Sequence, residues 1–194
     1  MTCRIRLLGL ILAALTLLSS PVGGQQSGAT AQKGKIKSAL RKIYDEDQKD
    51  RTDEAGDASR REQVQRLIRD GQVQSGEDYY YAAFIIQHGQ KSDDFIFAHV
   101  LAVTAVSKGF HGAMWLSAAT LDRYLHSIKQ SQIFGTQFGS LNNSSDDQGL
   151  YDQEMISDAL RAEWCVAPYS AQAKILSDVR AGKDFRSTRI CPVP

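Results

Sequence analysis

The chain has 194 residues, with 23 Lys or Arg and 22 Asp or Glu. If Arg4 and Arg6 leave with an N-terminal leader, 21 basic residues face 22 acidic ones, a net charge of −1. That balance argues against nucleic acid or an anionic membrane as the main partner.

Residues 1–24 read as a signal peptide. Arg4 and Arg6 form a basic start, and Leu7 to Leu18 is an apolar run broken only by Gly9 and Thr16. Val22-Gly23-Gly24 offers small residues for cleavage before Gln25. The run is well short of the roughly 20 residues a spanning helix needs, and no second such segment follows. Cys3 precedes the run, so it cannot accept a lipid there. The expected destination is the periplasm or the outside of the cell. Residues 25–34 are rich in Gly, Gln and Ala and are expected to be disordered. The mature chain of about 170 residues suffices for one core, so 35–194 is read as a single helical domain.

A first helix is predicted from about Lys35 to Arg51. Ile36, Leu40 and Ile43 mark its apolar face, and the same face continues into Asp47 and Arg51. The stretch Asp53 to Asp57 reads as a turn. A second helix spans about Ala58 to Asp70, with Val64, Leu67 and Ile68 inward and Gly71 as its stop. Asp78 to His88 is a third, aromatic-rich helix in which at most two of Tyr79, Tyr80 and Tyr81 can turn inward. Asp94 to Ser107, capped by Ser92 or Asp93, is apolar nearly all round and is therefore expected to be central. His111 to Lys129 follows, with Met114, Ala118, Leu121, Leu125 and Ile128 on one face.

Beyond Lys129 the helical rhythm breaks. Residues 132–138 read as a β-hairpin-like segment, and Gly139 to Gly149 as a polar loop. Helices at Ser157 to Trp164 and Ser170 to Arg180 close the domain. Cys165 and Cys191 are the two cysteines left after export. They are expected to pair and staple the C-terminal tail to the body. The predicted fold class is all-α, as an antiparallel helical bundle or a short tetratricopeptide- or Sel1-like α-solenoid.

Charged residues on a core-facing stripe must pair or do a job, so Asp47, Arg51 and Asp122 are the first site candidates. Asp122 lies one turn before His126 and can pair with it, whereas Arg123 points elsewhere. The four histidines match no metal-ligand spacing. A metal site would need His88 or His99 to meet Asp122 and His126 across helices, and neither metal nor other cofactor is expected.

Asp47-Gln48-x-x-Arg51, Gln87-His88, Asp122-Arg123 and Gln132-x-x-Gly135-Thr136-Gln137 together resemble the pattern of an uncharacterised bacterial family, domain of unknown function 6624. The resemblance runs from about Ile43 to Phe138. The family's Gly-Trp-Pro element is replaced here by Asp70-Gly71-Gln72-Val73. The resemblance carries positions and no mechanism. It ranks His88 above His99, His111 and His126.

Two functions are expected on this basis. One is a binding or structural module of the cell envelope. In it Gln48, Arg51, Gln87, Arg123, Gln132, Gly135, Thr136 and Gln137 shape a polar groove for a peptide, glycan or envelope protein. The other is an exported hydrolase with Asp47 and Asp122 as an acid–base pair, Arg51 or Arg123 as anion stabiliser and His88 as proton carrier.

Overall fold

Side-chain caps set where the helices begin. The computed structural model describes residues 39–49, 53–138, 148–181 and 188–192; the expected leader, the segment 25–34 and Arg51 lie outside them. Residues 39–49 are helical (α1). They are followed by α2 (Glu54–Arg69), α3 (Gly76–Ile86), α4 (Ser92–Ser107), a 3-10 turn (His111–Ala113), α5 (Met114–Ser127), α6 (Asp158–Glu163) and α7 (Tyr169–Arg180). The predicted all-α class is the observed one.

Asp53 accepts the Gly56 N–H at 2.9 Å, so α2 starts at Glu54, where the sequence had suggested a turn. Ser75 and Asp78 form a reciprocal capping box that starts α3 at Gly76. Neither Ser92 nor Asp93 caps α4. Both lie inside its first turn, and Asp94 reaches back to the Lys91 N–H instead. Residues 111–113 form the 3-10 turn, so the α-helix predicted from His111 begins at Met114.

The core is built on α4, which packs between α3 and α5. Ala82 and Ala83 on α3, Ala98, Ala102 and Ala105 on α4, and Ala118 on α5 are all fully buried. Such small side chains let helix backbones approach closely. Leu40 and Ile43 dock α1 on the same core, and Tyr44 packs there against Tyr80, Tyr81 and Phe84. Of the three consecutive tyrosines, Tyr80 and Tyr81 are buried. α4 is central, as expected, but one side of it stays open. Val100 and Val103 are 53% and 40% exposed.

The segment 132–138 is not a hairpin. Among the described residues the only β-pairings are two isolated bridges, Gln132 with Tyr151 and Val166 with Arg189. The second bridge belongs to the C-terminal tail. Cys165 and Cys191 form the expected disulfide. Beside it, Ile190 donates its N–H to Cys165 O at 2.9 Å and Ala167 donates to Thr188 O at 2.7 Å. The Trp115 indole N–H bonds Thr188 Oγ1 at 3.0 Å, tying α5 to the tail. Cys165 also ends α6 in the left-handed region, at φ 58°. The Val166 N–H returns to Arg161 O and the Cys165 N–H to Ala162 O, a helix stop that usually employs glycine.

The crosslink spans 26 residues. By the chain-entropy argument, Cys191→Ser is expected to lower the unfolding free energy by about 3 kcal/mol. Urea unfolding with and without reductant checks this, because reductant should destabilise only the native sequence.

Candidate functional site

Two polar centres emerge from the residues the sequence singled out. The first is organised by Asp122 on α5, which is 0% exposed. Its Oδ1 accepts the N–H groups of Ile133 and Phe134, at 2.8 and 3.0 Å. Its Oδ2 accepts the Thr136 N–H at 2.9 Å and the Thr136 hydroxyl at 2.8 Å. Burial pushes the Asp122 carboxyl above the ordinary carboxylate range, against the opposing pull of the Phe134, Thr136 and Ile133 N–H groups.

The loop can wrap the carboxylate because Gly135 turns the chain at φ 72°. A Cβ there would also lie 2.3 Å from Gln172 Oε1 and 2.6 Å from the Tyr151 ring. Amides close the remaining bonds. Gln132 donates to Gln137 O and Gln148 O, and accepts the Gln137 N–H. The Gln137 side chain donates to Ala119 O, Gln148 to Gly135 O, and Gln172 to Phe134 O and Ala167 O. The Gln-x-x-Gly-Thr-Gln element is thus spent on holding its own loop. Gln148 and Gln172 share this work and were missed by sequence reading, which assigned them to a polar loop and a closing helix.

Arg123 links this centre to α3. Its Nε donates to Gln137 Oε1 at 3.0 Å, its Nη1 to the Gln87 carbonyl at 3.0 Å, and its guanidinium lies over Phe95. Gln87 therefore contributes its backbone to that link. The expected Asp122–His126 pair does not form. The His126 ring lies instead against Gly149, whose Cβ would meet Nε2 at 3.2 Å.

The second centre surrounds Asp47, which is 1% exposed, as its place on the α1 stripe requires. Asp47 Oδ1 lies 2.8 Å from His88 Nδ1, and Oδ2 accepts the Gln48 amide at 2.7 Å. Arg60 enters from α2, with Nε 3.8 Å from Asp47 Oδ1 and Nη2 2.5 Å from Asp57 Oδ1. Its Nη1 reaches Asp53 Oδ2 at 3.4 Å and its Nη2 reaches Asp53 O at 3.3 Å. Arg60 Nε is buried without an acceptor. Arg61 fixes the end of α3 by donating to His88 O at 2.9 Å. Asp57 and Arg60 escaped the sequence reading because, three apart in a charged helix, they look like ordinary surface residues.

Asp47 and Asp122 therefore belong to separate hydrogen-bonded groups. The two groups touch through consecutive residues, Gln87 on the Arg123 side and His88 on the Asp47 side. No hydrogen bond joins the two carboxylates. The histidine grouping considered for a metal does not assemble either, since His99 Nδ1 faces Ser117 O and His88 faces Asp47. Among the described residues, the donor atoms that do converge belong to Asp47, Asp57 and His88, all within 4.8 Å of one another.

An apolar cleft lies apart from both centres. Val103 and Val106 of α4, Met114 and Ser117 of α5, and Glu163 and Trp164 at the end of α6 line a cavity of about 200 Å³. The Ser117 hydroxyl is turned away to Ala113 O. Comparison with protein-family models, curated proteins and solved structures finds no match. Among the described residues, no helix is long and apolar enough to cross a membrane.

Asp122→Asn would set an amide NH2 against N–H donors that now meet an acceptor. The expected loss is about 3 kcal/mol, measured by urea unfolding beside Asp152→Asn as a control.

Proposed function

We propose that this chain is an exported helical binding module related to the family whose motif pattern it resembles, and that its ligand surface is the apolar cleft between α4, α5 and α6. The leader-like start and the Cys165–Cys191 pair support export. The cleft is the observation that carries the binding role. It holds a cavity lined by Val103, Val106, Met114 and Trp164, beside the half-exposed Val100 and Val103. Exposed apolar surface around a formed cavity is the usual signature of a recognition site.

The chemistry of the lining favours a peptide over a glycan. A glycan needs polar groups to meet its hydroxyls, and here Ser117 already donates internally while Glu163 is the one carboxylate. The cleft suits a peptide segment, free or within an envelope protein, that carries a large apolar side chain beside a Lys or Arg. The polar motif residues take a structural part, because Gln132, Thr136, Gln137 and Arg123 are occupied inside the fold.

A second reading rests on the 2.8 Å contact between Asp47 and His88. An imidazole oriented by a carboxylate is the acid–base part of many hydrolytic sites. In this reading Asp122 has no catalytic role, since both of its oxygens are already engaged. Hydrolysis of chromogenic ester and peptide substrates that His88→Gln abolishes would favour it over the cleft.

The cleft reading is tested by panning a random peptide library on the mature protein. Enrichment of peptides with an aromatic or leucine side chain next to a basic residue is expected. Val103→Glu should weaken their binding at least tenfold while shifting stability by no more than about 0.5 kcal/mol, as for other half-exposed positions. Peptides that bind Val103→Glu and the native protein equally would sink this reading.

A further inference from the structure

We propose that Asp47, Asp57 and His88 form a binding site for one divalent transition-metal ion of the zinc class. Two carboxylates and an imidazole are a donor set suited to zinc and its neighbours. They come from three elements, α1, α2 and the end of α3, so only the tertiary fold assembles them. Their donor atoms lie within 4.8 Å of one another. Around a zinc-sized ion with bonds of about 2.0–2.1 Å, tetrahedral donors lie about 3.3–3.4 Å apart, so the widest pair would close by up to about 1.5 Å. Asp47 Oδ1 and His88 Nδ1, now at the hydrogen-bond distance of 2.8 Å, would open by roughly 0.5 Å to ligate.

Arg60 is the resident cation of the cluster. Its Nη2 holds Asp57, yet its Nε is buried with no acceptor and lies 3.8 Å from Asp47 Oδ1. A buried donor without an acceptor is costly and marks the place of an oxygen ligand. A water on the metal would be that acceptor. Arg60 also has somewhere to go when an ion takes Asp57. It already reaches both the side chain and the carbonyl of Asp53, whose carboxylate is 42% exposed. Asp47, Asp53 and Asp57 all face the Arg60 guanidinium, so three carboxylates share that one cation. Three protein donors leave the ion's fourth position to water, the arrangement of zinc sites that do chemistry.

The test is calorimetric titration of the full mature protein with zinc chloride in a non-chelating buffer. One equivalent should bind. Asp57→Asn and His88→Gln should each weaken binding at least a hundredfold, and Arg60→Gln should tighten it several-fold by removing the competing cation. The native protein provides a readout that does not depend on the folding of any variant. One equivalent of zinc should shift the ring nitrogen signals of His88 in a long-range proton–nitrogen spectrum and leave those of His99 in place. Absence of stoichiometric binding, binding indifferent to both ligand substitutions, or an unmoved His88 signal would overturn the proposal.

Discussion

Three N–H groups and one hydroxyl converge on the carboxylate of Asp122, and the second half of the molecule is arranged around that convergence. Residues 132–138 form neither helix nor paired strands, so their backbone groups need partners from elsewhere. A buried carboxylate can serve several donors at once. Once Asp122 fixes the loop, the loop presents its carbonyls to Gln148 and Gln172, and these bring in residues 148–151 and α7. A solvent-exposed carboxylate would bind the same donors weakly, because water would compete for them. The burial that raises the pKa of Asp122 therefore also makes it an effective anchor.

The two polar centres divide the labour along the chain. Around Asp122 all four bonds to the carboxylate are backbone N–H or hydroxyl donations from one loop, while Gln172 Oε1 and the Tyr151 hydroxyl nearby are buried without a partner. Around Asp47 the bonds are between side chains of different helices: Arg60 is shared among three aspartates and leaves one N–H without an acceptor. The two centres meet at the end of α3, where Gln87 faces one and His88 the other. Incomplete satisfaction of buried polar atoms is where chemistry or ligand exchange has room to occur.

Much of the fold was legible because helical periodicity is a local signal. Leu40 and Ile43 set the stripe that carries Asp47 into the interior, and the glycines at 71 and 109 mark helix ends with positive φ. That Asp122 is buried and functionally important to the fold could also be read from its place in an apolar pattern. Its role could not. The Gln132 and Gln137 amides could equally have bound a ligand or their own backbone, and only the fold decides between these. Asp57 and Arg60 were invisible for a different reason. Their local pattern is that of a solvated helix face, and their burial arises from α1 and His88, which are distant in sequence. The cleft likewise joins Val103 to Trp164 across about sixty residues, beyond the reach of any window along the chain.

The cysteine at 165 holds a position where glycine would be the easy choice. A glycine would end α6 at less conformational cost, but it would leave the C-terminal tail to be held by hydrogen bonds alone. The cysteine accepts a backbone shape it does not favour, and its sulfur then reports whether the tail has arrived. A chain whose tail has strayed keeps two thiols, and those thiols remain substrates for disulfide exchange. A correctly docked chain offers neither of them. The same residue thus ends a helix and marks, by its bond to Cys191, that the tail has docked.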